Sequence, residues 1–230
     1  MIALLCFLTT AFAADAGEVR LGIEAGIVKD LPDATSGDST RFGVGPTLAV
    51  PLLVHVAPNA RLRAAVSAQM ATGSDRVFWS VPVDGQTVEL YDDDHWAMAA
   101  VGSGTLGMEV LLPLNTDIEV AFGGDVGVSW VGTYHSFSGN TRQLIDPDQN
   151  DLDDPNNVDP YTSQVAWRTG VDASVAVPVS ERLHLTLRTG YSVAFVNTRP
   201  LQKSPAALDA QRAAYGWNPL SVTVGITRRW

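Results

Sequence analysis

The sequence predicts an all-β chain, an eight-stranded antiparallel transmembrane β-barrel with four long extracellular loops, and three observations carry that expectation. Eight segments alternate apolar and polar residues, as strands with two unlike faces do. The last of them, Leu220–Trp230, ends on an aromatic ring with no polar tail. That ring and a strand edge would be left bare unless the strand closed against the first one. The polar face is made of Gly, Ala, Ser, Thr and charges of both signs, and the only two lysines, Lys29 and Lys203, fall in connecting segments. A soluble β protein dresses its solvent face with Lys and Glu. This pattern instead turns the polar face to a lumen and the apolar face to lipid.

Each element follows from its own alternation. Glu18–Val28 sets Val19, Leu21, Ile23, Ala25 and Ile27 against Glu18, Arg20, Gly22 and Glu24. Arg41–Val56 sets Phe42, Val44, Leu48, Val50 and Leu52 against Arg41, Gly43, Gly45 and Thr47. In Arg61–Thr72, Leu62, Val66 and Met70 oppose Arg61, Arg63, Ser67 and Gln69. Trp96–Leu112 carries Trp96, Met98, Leu106, Met108 and Val110 against Ser103, Thr105 and Glu109. Asp117–Tyr134 shows Ile118, Val120, Phe122, Val126, Val128 and Trp130 against Asp117, Glu119, Asp125 and Ser129. Tyr161–Val179 sets Val165, Trp167, Val171, Val175 and Val177 against Gln164, Arg168, Asp172 and Ser174. Leu183–Phe195 sets Leu185, Leu187, Tyr191 and Val193 against His184, Thr186, Arg188 and Ser192. The closing strand puts Leu220, Val222, Val224 and Ile226 on one face and Ser221, Thr223, Gly225 and Thr227 on the other.

Short turns follow the second, fourth and sixth segments, and long polar stretches follow the others: Lys29–Thr40, Gly73–His95, His135–Pro160 and Val196–Pro219. Outer-membrane barrels pair short periplasmic turns with longer outside loops in this way. Val77–Val83 and Gln86–Tyr91, joined by Asp84-Gly85, are too short to span and read as a hairpin within the second loop. Phe42, Trp96, Trp130, Tyr134, Tyr161, Trp167 and Phe195 gather near the loop ends, where an interfacial girdle of aromatics is expected.

Composition and targeting agree. Ile2–Phe12 is apolar and Ala11-Phe12-Ala13 reads as a small-residue cleavage site, so residues 1–13 are expected to be a secretory signal peptide and 14–230 the barrel domain. No Lys or Arg precedes the apolar run, which points to a start slightly upstream. Cys6 lies in the signal, leaving no thiol in the mature chain. A net charge of −10 argues against nucleic acid as a partner. No apolar run reaches the roughly 18 residues of a spanning helix.

With these residues in view, the chain resembles the small eight-stranded outer-membrane barrels, the class of the OmpA transmembrane domain and OmpX. The resemblance is architectural and covers Glu18–Trp230. It implies a C-terminal assembly signal, for which Thr223, Gly225 and Trp230 match; Arg228 stands where an apolar residue is usual. It also implies outer-membrane lipid and the outer-membrane assembly machinery as partners, and the bacterial outer membrane as location.

The candidate site residues fall into two groups. Glu24, Glu109, Asp125 and Asp172 share the predicted lumen with Arg63, Arg168 and Arg188. Unpaired charges there would be costly, so a charge network is expected, with Arg168 and Arg188 nearest mid-strand. The third loop, Asp146–Asp159, holds six aspartates and three asparagines and no basic residue. Asp146, Asp148 and Asn150 alternate as a calcium loop begins, and Asp153 and Asp159 add oxygens. The match then breaks, because Asp151 stands where a turn glycine is wanted and Asn157 where a bidentate Glu is wanted. A solvated acidic loop is the first expectation and a weak, irregular calcium site the second; no other cofactor is expected.

Asp93-x-His95 and Asp146-x-Asp148 resemble the paired residues of omptin proteases, but in reverse chain order. His135-Ser-Phe-Ser138 resembles the His/Ser pair of lipid A deacylase barrels, with Phe137 in the position that motif needs for Ser. Ordinary loop polarity explains both. Ser204-Pro205 before Ala206–Ala214 could cap a short helix in the fourth loop. The expected role is therefore structural or surface-interaction through the loops, without catalysis. A barrel enzyme acting on lipid or peptide and a narrow gated channel are the alternatives. The surface ligand is not legible.

Overall fold

The computed structural model describes residues 17–31, 42–74, 77–83, 86–92, 96–112, 114, 117–136, 158–159, 161–196, 201–202 and 216–230. Eight long strands form the barrel: β1 Val19–Asp30, β2 Val44–Ala57, β3 Ala60–Ser74, β4 Trp96–Leu112, β5 Glu119–Ser136, β6 Tyr161–Ser180, β7 Leu183–Phe195 and β8 Pro219–Arg229. Each pairs antiparallel with its chain neighbours, and β8 closes on β1. Two-residue turns at Pro58-Asn59 and Glu181-Arg182 join β2 to β3 and β6 to β7 at one rim, the turn end; the opposite rim is the loop end. Val77–Val83 and Gln86–Asp92 form a separate two-stranded sheet, apart from the barrel wall. Val158–Asp159 pairs with Leu201–Gln202, and Gly216–Trp217 adds to the loop end of β7.

The register fixes the shape. Followed once round from Val19 through Val54, Leu62, Met108, Gly124, Val171, Tyr191 and Leu220, it returns to β1 at Lys29, a stagger of ten residues. With a rise of about 3.3 Å per residue and a strand spacing of about 4.8 Å, that stagger over eight strands tilts them by about 40°. A barrel of this size has an interior just wide enough for side chains to fill.

Burial is inverted relative to a soluble barrel. Glu24, Arg61 and Glu109 are each 1 % exposed, whereas Val66, Val126 and Val165 are 62, 61 and 70 % exposed. Most large apolar residues of the strands point outward and most charged ones inward, which water would penalise and hydrocarbon would favour. The chain is thus built as a membrane-spanning barrel. Among the described residues no helix is long and apolar enough to cross a membrane; the strands do the crossing.

At the loop end Tyr134 lies between Trp96 and Tyr161, with ring centroids 6.0 and 4.9 Å away, and Trp130 Nε1 donates to Ser163 Oγ at 2.8 Å. Trp167 and Phe195 stand on the same outer face. Phe42 departs from the expected girdle. It lies before β2, where Gly43 N bonds Thr72 O at 2.7 Å, and its ring is 2 % exposed inside the barrel, 5.7 Å from the ring of Trp217. The pleat that set its outward parity begins only at Val44.

Candidate functional site

The lumen is filled in layers, and the alternation of each strand decides which side chain enters which layer. Nearest the turn end, Arg20 bonds Glu18 through Nε at 2.6 Å and grips Glu119 with both terminal nitrogens, at 2.9 and 2.7 Å. Arg61 then links this floor to the middle, reaching Glu109 through Nε at 2.6 Å and Glu119 through Nη1 at 3.1 Å. Arg229 joins from the rim, 3.2 Å from Glu18. Buried His55 fills the floor beside Arg20 and Arg61.

In the middle layer Arg188 is the hub. It reaches Glu109 at 2.7 Å and Glu24 at 3.2 Å, and it also bonds Asp172. Arg63 stands 3.7 to 3.8 Å from Glu24, Glu109 and Asp125. Arg168 faces the same space, with Asp125 and Asp172 within electrostatic reach, but its buried Nε has no hydrogen-bond partner among the described residues. Glu24, Arg63, Glu109, Asp125, Asp172 and Arg188 are therefore brought together, with Arg168 at the margin.

The carboxylates fit because glycines face them. Glu24 pairs in register with Gly225, where an added Cβ would lie 2.6 Å from Glu24 Cγ and 2.5 Å from Ile23 O. Glu109 pairs with Gly123, where a Cβ would lie 2.7 Å from Glu109 Cγ. Gly225, expected as part of an assembly signal, thus also makes room for a lumen acid. Thr223 belongs to the same strand face, and its Oγ1 lies 3.5 Å from Glu24 Oε2. Trp230 lies outside the barrel at the turn end, 69 % exposed, with the Arg228 guanidinium 4.4 Å from its ring centroid.

Above the ionic layers the lumen turns apolar. Val28, Phe42, Val101, Val131, Val196 and Trp217 cluster with small alanines near the loop end. Trp217 Nε1 donates to Gln69 Oε1 at 3.1 Å, so its one polar atom is satisfied. Asp30 accepts from the backbone N–H of Asn218 at 2.9 Å, and Leu31 N bonds Asn218 O at 3.0 Å, tying this segment over the mouth.

Sequence reasoning missed the floor of the network. Glu18, Arg20, Arg61 and Glu119 share the inward parity of Glu24 and Arg63 on their strands, and that parity was the available signal. It also missed Trp217, which no alternation marks. Asp93, His95, Phe137, Ser138, Asp146, Asp148, Asn150, Asp153 and residues 204–214 lie outside the described residues. So do the expected signal segment and the side chains of His135 and Asp159; the backbone of Asp159 pairs with Leu201. Among the described residues no group of three or more His, Cys, Asp or Glu is placed to hold a metal ion.

Chemically, the ionic set balances once Arg229 at the rim is counted with it. Glu18, Glu24, Glu109, Glu119, Asp125 and Asp172 are matched in number by Arg20, Arg61, Arg63, Arg168, Arg188 and Arg229. The whole formal charge of −10 therefore lies outside it.

No family profile and no curated protein sequence matches the chain. Among solved structures it is similar to a major outer-membrane protein of Thermus thermophilus, with a TM-score of 0.52 at 17 % identity, over 92 % of this chain and 99 % of that one. OprG of Pseudomonas aeruginosa aligns with a TM-score of 0.48 at 12 % identity, over 94 % of this chain and 96 % of that one. The attachment invasion locus protein Ail of Yersinia pestis aligns with a TM-score of 0.47 at 8 % identity, over 93 % and 99 %. The fold shared with the Thermus protein is that of an outer-membrane barrel, as the closed ring and inverted burial independently require.

Proposed function

We propose that this chain is an integral outer-membrane protein with a structural or surface-interaction role, its barrel a closed anchor and its loop-end connections the working surface, without catalysis. One observation supports the reading most: the strands that expose an apolar wall bury an ionic network in which Arg20, Arg61 and Arg188 are directly paired with acids. The acids at its centre are engaged by arginines rather than set against open space beside a base, as a catalytic site needs. Among the described residues an apolar cluster around Trp217 stands between the ionic layers and the loop end, which supports a closed lumen. The turn end faces the periplasm, as short turns do in such barrels. The excess negative charge then falls on the connecting segments, the part of a rigid scaffold where binding residues concentrate.

Planar-bilayer recording of the folded barrel tests this. The expected result is a bilayer that stays silent while the same sample shows the gel-mobility difference between boiled and unboiled protein. Steady single-channel conductance would replace the anchor with a narrow channel.

A further inference from the structure

We propose a binding site for one anionic glycerophospholipid on the outer wall at the turn end, where Arg228 holds the phosphate and a groove over β8 and β1 takes an acyl chain. The site rests on the proposed function, which places the turn end at the periplasmic leaflet.

Arg228 is a cation on an apolar wall. It continues the outward row Val222, Val224 and Ile226, which are 41, 52 and 56 % exposed, and it stands in register with Leu21 of β1 and Leu183 of β7, both apolar and outward. Its guanidinium lies 4.4 Å from the Trp230 ring centroid, which fixes the head and leaves its edges to donate. Above it runs a groove of about 690 Å³ lined by Leu21, Ile23, Leu185, Val224 and Ile226, with Arg228 and Trp230 at its foot. An apolar slot with a cation at its interfacial end matches a chain ending in a phosphate ester, and Arg meets phosphate with two parallel N–H donors.

The cation at the foot of the groove favours an anionic lipid. Arg182 lies exposed in the adjoining turn, tied to the strand by Arg229 N donating to Arg182 O at 2.8 Å. Arg229 is engaged inward with Glu18, and Arg228 is the cation that lines the groove. A water-borne protein partner would find only hydrocarbon walls there, already covered by the bilayer.

The test uses the full barrel folded in zwitterionic micelles, with native mass spectrometry reading retained lipid and the boiled-versus-unboiled gel shift reading the fold. Wild type should retain one phosphatidylglycerol. Arg228→Gln should weaken retention at least tenfold with the gel shift intact, and Arg228→Lys should keep part of it, since charge remains without the fork. Equal retention by wild type and Arg228→Gln would overturn the site while leaving the barrel reading untouched. So would equal retention of phosphatidylglycerol and of a diacylglycerol with the same chains but no phosphate. Absence of the gel shift in wild type would overturn the barrel reading, and this site with it.

Discussion

Replacing Arg188 with Met keeps the length of the side chain and removes its charge from the centre of the lumen, and the structure says how much that should cost. Three carboxylates lose a partner, but they do not lose equally. Glu109 keeps Arg61 at 2.6 Å, and Glu24 keeps Arg63 at 3.8 Å. Asp172 has no second arginine within ion-pairing distance among the described residues. One stranded carboxylate, not three, sets the magnitude, so Arg188→Met should cost about 3–5 kcal/mol, the usual range for breaking a buried pair. Adding Asp172→Asn removes the stranded charge and should return about 1–3 kcal/mol. Arg168→Met, which breaks no close pair, should cost on the order of 1 kcal/mol. The measurement is urea unfolding of each variant in lipid vesicles, followed by tryptophan fluorescence, with the folded fraction counted on unboiled gels. The outward Val171→Leu serves as the control and should barely move the midpoint. If Arg168→Met costs as much as Arg188→Met, or if Asp172→Asn gives nothing back, the lumen is not held by the network described above.

Other perturbations probe separate parts. Gly225→Ala drives a methyl against Ile23 O and Glu24 and should destabilise by about 1–3 kcal/mol in the same unfolding assay. Trp217→Ala removes the buried ring of the apolar layer and should cost about 3–5 kcal/mol, yet leave planar bilayers silent because the ionic layers remain below it. Deleting Trp230 should leave secretion intact and lower the folded fraction in outer membranes; normal insertion would make the terminal ring dispensable. Calcium titrated to millimolar levels into the folded barrel should give calorimetric heat and protect Asp146–Asp159 from protease if that acidic loop holds an irregular site. Dilution heat alone would leave a solvated loop.

The fold was legible because its signal is local. A period of two shows in any strand, and in-phase alternation told the two faces apart before any contact was known. The failures are non-local. Phe42 carries the right parity on paper but sits before the first paired residue of β2, where the chain turns its ring inward to Trp217. Trp217 itself belongs to a two-residue pairing with Ala194 and Phe195, too short to leave a pattern. The network was legible in membership and illegible in wiring. Arg168 and Arg188 look equivalent in the sequence, both inward and mid-strand, and only the stagger of the sheet puts Arg188 opposite three acids. Glu18, Arg20, Arg61 and Glu119 were on the correct face but lie at or beside strand ends, where alternation alone does not separate lumen from rim.

The same stagger explains why the acids could be placed in the lumen at all. An eight-stranded barrel has no spare volume, so a buried carboxylate needs a missing side chain beside it. Glu24 faces Gly225 and Glu109 faces Gly123, so the register converts glycines into the space that the acids occupy. Once those acids are inside, the arginines must follow, because an uncompensated charge there costs more than the pair. The lumen is then committed to neutrality and close packing, with an apolar cap above. Within that packing the central arginine and its acids hold one another directly, whereas buried His55 and the Nε of Arg168 have no hydrogen-bond partner among the described residues. What variation remains open to selection is on the outside, in the acidic connections at the loop end and in Arg228, a cation set on the outer wall at the turn end.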